Sequence, residues 1–282
     1  MPHTTDRALL DVAVEAARAG AEVLRGSFRS SGLQVRAKGR NDLVSSADHA
    51  AEEAVVAVIR RHHPGAAFLA EESGRSGVEG SELEWVIDPL DGTNNFLQGL
   101  PIFCTSVACR RAGVTVAGVV VEPLGGHVYT ALLGGGAFRD GEPLAVSGRR
   151  GLDGAFIATG YPFRALAALD LYLASFREVF QQARALRRCG AAALDLAWTA
   201  AGVFDGFFEF RLSPWDVAAG ALLVQEAGGR VTDLDGGDEW WRSGNVVAGS
   251  PAVWSELRSA VARHADEARL EEADPVGRVV SC

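Results

Sequence analysis

The chain has 282 residues, 48% of them hydrophobic and 22% charged, enough apolar material to bury a large core as one bilobed unit or two interlocked domains, which excludes a mostly disordered chain. Its net charge of −9 argues against a general nucleic-acid or anionic-membrane surface, although a phosphate site can still be positive locally. No run reaches the roughly eighteen apolar residues needed to span a bilayer. Cys104, Cys109, Cys189 and Cys282 form neither a C-x-x-C pair nor a secreted disulfide pattern. A soluble cytoplasmic protein with reduced, packed cysteines is therefore expected.

From the amino end, Leu9, Leu10, Ala13, Ala16, Ala17 and Val23 have the spacing of an amphipathic helix near residues 6–27. Asp6, Asp11 and Glu15 interrupt what would otherwise be the apolar core of a targeting signal. Lys38 follows, the only lysine among 27 basic residues. In a chain that uses arginine by habit, a compact ammonium invites a reason, such as reach to a metal-bound water or a phosphate, against chance survival. Asp48 opens a helix near 47–62 behind Ser45 and Ser46, where an acid also stabilises the first turn.

Two short apolar runs, Ala66 to Ala70 and Trp85 to Ile87, read as core strands. The first ends in Glu71-Glu72-Ser73; the second ends in Asp88-Pro89-Leu90-Asp91-Gly92-Thr93, which Pro89 and Gly92 mark as a turn. From Phe103 to Leu133 three strands (Phe103 to Arg110, Val114 to Val121, His127 to Leu133) come consecutively with Gly-rich joins, which predicts antiparallel pairing. Helical segments near 165–183, 191–202, 214–228 and 251–263 then alternate with strands. The expected organisation is an α+β lobe over 1–145, an α/β lobe over 146–264, and a frayed acidic tail over 265–282. There is no internal repeat.

Asp88 and Asp91 at one strand end repel each other unless something positive lies between them, and all-oxygen ligands favour Mg²⁺, Mn²⁺ or Ca²⁺. The competing reading is an Asp-Pro, Asp-Gly turn with Asp91 capping a short helix. Asp216 carries the same ambiguity, because Ser213-Pro214-Trp215-Asp216 is a capping box with Pro at the first helical position. A carboxylate has lone pairs enough for both tasks. His62, His63 and His127 lack ligand spacing and are expected at the surface.

Glu71-Glu72-Ser73, Asp88-Pro89-Leu90-Asp91-Gly92-Thr93-Asn94-Asn95-Phe96 and Trp215-Asp216-Val217-Ala218-Ala219-Gly220, in that order and at that spacing, resemble the inositol monophosphatase family of metal-dependent phosphomonoesterases. The resemblance implies a layered αβαβα sandwich, a homodimer, and two or three Mg²⁺ per site, with Mn²⁺ as a substitute. It implies that Glu71, Asp88 and the Leu90 carbonyl hold the metal that activates water, and that Asp88, Asp91 and Asp216 hold a second near the leaving oxygen. Thr93 would orient the attacking water, Asp48 would accept from the Thr93 hydroxyl, Lys38 would come from a mobile loop, and Glu71 would take a proton. Backbone N–H groups of Gly92 and Thr93 would meet the phosphate, beside Asp91.

On the substrate side, Gly190, Ala191 and Ala192 precede a helix and would offer further backbone donors. Glu209 stands where relatives that take inositol phosphates carry a hydroxyl-binding acid; its alternative reading is a half-exposed strand residue. Arg211 stands where many relatives have glycine, so it could favour a second phosphate. The substrate implied is inositol 1-phosphate, with fructose 1,6-bisphosphate, histidinol phosphate, NADP and 3′-phosphoadenosine 5′-phosphate as alternatives. Haloacid-dehalogenase phosphatases also end a motif in Asp-Gly-Thr, but after Asp-x-Asp with one intervening residue, where Asp88-Pro89-Leu90-Asp91 has two. A non-catalytic binding subunit is the remaining alternative, and the full set of acids argues against it.

Overall fold

A computed structural model describes residues 4–39 and 42–264. The expected frayed tail, with Cys282, lies outside the described residues. Helix α1 (Thr4–Ser27) leads into a hairpin of β1 (Val35–Gly39) and β2 (Asp42–Ser45), then α2 (Ser46–His62). Next come β3 (Ala67–Ala70), β4 (Gly74–Gly77), β5 (Leu83–Asp91), α3 (Thr93–Leu97), β6 (Cys104–Arg111), β7 (Val114–Val121), β8 (Val128–Leu132), β9 (Gly136–Arg139) and β10 (Glu142–Pro143). The remainder is β11 (Phe156–Thr159), α4 (Leu169–Gln182), β12 (Ala185–Arg187), α5 (Ala192–Ala200), β13 (Gly206–Glu209), α6 (Pro214–Glu226), β14 (Arg230–Thr232), α7 (Trp240–Ser243), β15 (Val246–Gly249) and α8 (Pro251–Ala262).

Two sheets organise these elements. One runs β10-β9-β8-β7-β6-β5-β3-β4 and is antiparallel from β5 through β10, as the consecutive strands predict, with β3 parallel to β5. The other runs β12-β11-β13-β15-β14, with β12, β11 and β13 parallel. The outer face of the first sheet is covered by α1 and α2, whose apolar stripes close a core with Trp85, Ile87 and Val107. Helices α5 and α6 lie between the sheets, and α8 covers the far face of the second, beside α4. The order helix, sheet, helix, sheet, helix is the expected αβαβα sandwich.

Sandwiched between two sheets, α6 is apolar on all sides, and Pro214 to Val224 is buried throughout. Its small residues let backbones close in: a Cβ on Gly118 of β7 would sit 3.0 Å from the Ala219 Cα, and one on Gly220 would sit 2.6 Å from the Leu196 side chain. This central helix carries Asp216 at its first turn, facing the end of β5.

Candidate active site

Asp88 and Asp91 do not lie in a turn. Strand β5 continues through them to Asp91, with Asp88 opposite Ser106 and Asp91 opposite Cys104, so three steps on one strand face two on its neighbour. That is a β-bulge, and it has a chemical consequence. Residues three apart on a regular strand point to opposite faces, and one extra residue returns them to the same face. Pro89 is tolerated because a bulge needs no N–H there, and its carbonyl accepts from Thr105 Oγ1 at 2.9 Å. Gly92 then turns the chain into α3 with φ +96°, where a Cβ would come within 2.9 Å of the Ile102 carbonyl.

Helix α2 reaches the same place from the other side. Asp48 sits at its third position in a capping box, its Oδ2 accepting from the Ser45 N–H at 2.8 Å and the Ser45 hydroxyl at 2.6 Å. Its Oδ1 lies 3.1 Å from Thr93 Oγ1, which is also 3.1 Å from the Leu90 carbonyl. A hydroxyl has one proton to give, and the Asp48 carboxylate competes for it with that carbonyl. One turn on, Glu52 accepts from the Glu72 N–H at 2.9 Å and the Ser73 N–H at 3.0 Å. Its two oxygens pin the turn that follows β3 and carries Glu71.

Glu71 is nearly buried, its Oε1 3.2 Å from the Arg164 guanidinium and 3.5 Å from Lys38 Nζ. Lys38 lies within strand β1 rather than in a loop, at the point where the register on β2 shifts between Ala37 and Gly39. Its ammonium lies 2.6 Å from the Glu72 carboxylate. Burial, then Glu71, pushes the Glu72 carboxyl up to about 8. Lys38→Arg is expected to lower kcat about tenfold, because a planar guanidinium cannot stand in one small pocket between two carboxylates as an ammonium does. Unchanged kcat and KM in steady-state assays would leave Lys38 without a role.

Asp216 accepts from the Ser213 N–H at 2.7 Å, so the capping reading holds, and its carboxylate still lines the cleft. Asp88 is within hydrogen-bonding reach of both Glu71 and Asp216. Burial, followed by Glu71, Asp91 and Asp216, holds Asp88 well above the usual carboxylate range. Burial and Asp216 push Asp91 up to about 7, and burial pushes Asp216 to about 6 even though the Arg164 charge opposes it. Three carboxyls raised by burial and by neighbouring acids, Glu71 among those neighbours, in one desolvated cleft call for a compact positive charge. Among the described residues no three His, Cys, Asp or Glu side chains close round a single point as a metal cage. The all-oxygen donor set fits Mg²⁺.

The substrate side departs from expectation in two ways. The N–H of Ala193 in the first turn of α5 donates to Asp91 Oδ2 at 2.7 Å, with the Cys104 thiol at 3.7 Å from the same oxygen. Of the predicted donors Gly190, Ala191 and Ala192, only Ala192 joins Ala193 in bonding Asp91. Ala191 is fully buried behind Gly92, whereas Gly190 and Ala192 line the cleft. Glu209, at the end of β13, is buried rather than half-exposed, and burial holds its carboxyl well above the usual range despite the opposing Arg188 charge. Arg211 lines the cleft with φ +61°, which explains why glycine is at home at this position.

Arg164 and Arg188 also line the cleft and were not foreseen. Arg188 lies 5.0 Å from the Tyr161 ring centroid. Tyr161, Pro162 and Phe163 line the cleft too, and the next residue, Arg164, is the one that reaches Glu71. Among the described residues no histidine lines the cleft: His62 pairs with Glu15, His127 with Asp140, and His63, expected at the surface, is half-buried against Trp85.

At one end of this sandwich, acids from β5, α6 and the turn after β3 converge beside the start of α3. The sequence profile of the inositol monophosphatase family matches residues 6–270, and the chain belongs to that family. It is 45% identical over 255 residues to the inositol-1-monophosphatase of Mesorhizobium japonicum, covering 90% of this chain and 96% of that one. It is 44% identical over 261 residues to the Nus factor SuhB of Pseudomonas aeruginosa, covering 91% and 96%. Among solved structures, the extragenic suppressor protein suhB of Bartonella henselae aligns with a TM-score of 0.86 at 42% identity, covering 90% of this chain and 98% of that one.

Proposed function

We propose that the protein is a Mg²⁺-dependent phosphomonoesterase that hydrolyses inositol 1-phosphate or a closely related phosphorylated polyol. The convergence of Glu71, Asp88, Asp91 and Asp216, each on a different structural support or bulge position, carries this reading. Glu71, Asp88 and the Leu90 carbonyl would hold one Mg²⁺, and Asp88, Asp91 and Asp216 another. Bound there, Mg²⁺ supplies positive charge to the phosphate and leaving oxygens and lowers the pKa of water.

The chain's own groups do the positioning. Thr93 holds the attacking water through its hydroxyl, whose direction is set by Asp48 and the Leu90 carbonyl. Glu71 receives the proton that water gives up. The left-handed Gly92 lets the phosphate approach the backbone at Thr93. Glu209 accepts from the hydroxyls of the leaving alcohol. Thr93→Ala should lower kcat by roughly a hundredfold with little change in KM, because it removes an aligned hydrogen bond and leaves the phosphate contacts in place. A pure KM effect would move Thr93 to phosphate binding.

A phosphate-release panel with Mg²⁺ over inositol 1-phosphate, fructose 1,6-bisphosphate, histidinol phosphate, NADP and 3′-phosphoadenosine 5′-phosphate tests the substrate reading. Inositol 1-phosphate should give the highest kcat/KM, and a preference for a bisphosphate would instead assign Arg211 to a second phosphate. We also propose a homodimer. Leu166, Leu169, Leu173 and Phe180 form an exposed apolar row on and just before α4, at helical spacing. Analytical ultracentrifugation should give twice the chain mass, and Leu173→Glu should halve it.

The name Nus factor carried by several relatives supports a second reading, in which a surface of the same fold binds a partner assembly. It requires no loss of the acids in the cleft.

A further inference from the structure

We propose that Gly160 sets substrate selectivity by holding the Glu209 carboxylate in place, so that the cleft selects phosphate esters of polyols by their ring hydroxyls. The inference rests on the reading of Glu209 given above. Gly160 follows β11 directly. Strands β11 and β13 are parallel neighbours, with Thr159 level with Phe208, so one step further brings Gly160 beside Glu209. Gly160 is buried.

Backbone conformation does not explain a glycine here, since Gly160 is absent from the left-handed positions where glycine is favoured. Space explains it. A Cβ at position 160 would fall on the Glu209 carboxylate, and its three nearest neighbours would be Oε1, Cδ and Oε2 of that residue. The carboxylate therefore lies flat against the glycine. Behind it the fold is closed: Tyr172 feels its charge and stacks against Phe208, both buried. In front is the cleft that Glu209 and Arg188 both line.

A methyl group at position 160 would meet only the far end of a flexible side chain first, so the fold should accept it. The carboxylate would be driven toward the cleft, into the volume that a ring hydroxyl needs. Misplacing a positioning group by about 1 Å can cost on the order of a hundredfold in rate. Gly160 is thus a positioning residue that acts through Glu209, with no contact of its own to the reacting phosphate.

The test is a double-mutant cycle on the full chain with Mg²⁺, using Gly160→Ala, Glu209→Ala and both together, assayed on inositol 1-phosphate and on p-nitrophenyl phosphate. Gly160→Ala should melt as the parent does. It should lower kcat/KM for inositol 1-phosphate by roughly tenfold to a hundredfold, and for the aryl phosphate by much less. The double variant should be no worse than Glu209→Ala alone, because the two changes remove one interaction. Full selectivity in Gly160→Ala, or losses that simply add, would overturn the role of Gly160 while leaving Glu209 in place. Full selectivity in Glu209→Ala would overturn the substrate reading itself, and the proposal for Gly160 with it.

Discussion

Asp91→Asn is expected to lower kcat by on the order of a thousandfold, about 4 kcal/mol of transition-state stabilisation, in a protein that remains folded. Asn is isosteric, and its amide oxygen can still accept the Ala193 N–H that now bonds Asp91 Oδ2 at 2.7 Å. What it cannot do is present a second oxygen and a negative charge to a cation. The stability change should run the other way. Burial and the Asp216 charge push the Asp91 carboxyl up to about 7, so this acid is repelled by its neighbours when no cation is present. A neutral amide relieves that repulsion, and the metal-free variant should melt at or above the parent temperature. Asp88→Asn should behave alike, since its carboxyl faces Glu71, Asp91 and Asp216 together. Turnover within tenfold of the parent in either variant, measured with Mg²⁺ in excess, would remove these residues from the metal clamp.

The bulge explains how one short motif does so much. Sequence alone places Asp88 and Asp91 three apart and marks Pro89 and Gly92 as breakers, which reads as a turn. A bulge is decided by what the neighbouring strand does, and the register of β5 on β6 is a tertiary fact. Helices were legible because their signals are local. Ser45 with Asp48 and Ser213 with Asp216 are capping boxes in sequence and in structure, three residues apart in each case.

The site was legible where a motif concentrated unusual residue types, and opaque where a partner came from far along the chain. The helix start at Ala192 is a set of donors by sequence, but its direction depends on Asp91, 102 residues away from Ala193. Arg164 is one of 26 arginines in the sequence, and only the fold brings its guanidinium within 3.2 Å of Glu71, 93 residues away. Glu52 lies one helical turn beyond Asp48, so helical periodicity does place both on one face of α2. The signal was present; nothing in the sequence said that the two N–H groups of Glu72 and Ser73 needed it. Glu209 was named for its position, and its burial could not be read because the Phe207-Phe208-Glu209-Phe210 run alternates no cleaner than a half-exposed strand would.

Removal of divalent metal should abolish phosphatase activity altogether, the largest effect expected here, and Mg²⁺ should restore it. The reason lies in the charge of the cleft. Glu71, Asp88, Asp91 and Asp216 face one another across a desolvated space, and a phosphate monoester brings further negative charge. Arg164 and Lys38 are already engaged with Glu71. Phosphate therefore has little reason to enter until a cation reverses the field. Melting curves give a readout that needs no substrate. A ligand at a hundred times its Kd adds about 2.7 kcal/mol to the folded state, so saturating Mg²⁺ should raise the Tm of the parent by several degrees. Asp91→Asn should gain much less, because the charge that held the ion is gone. Equal activity in EDTA would sink the metal mechanism. An equal Tm rise in parent and Asp91→Asn would show that Mg²⁺ binds somewhere other than this cleft.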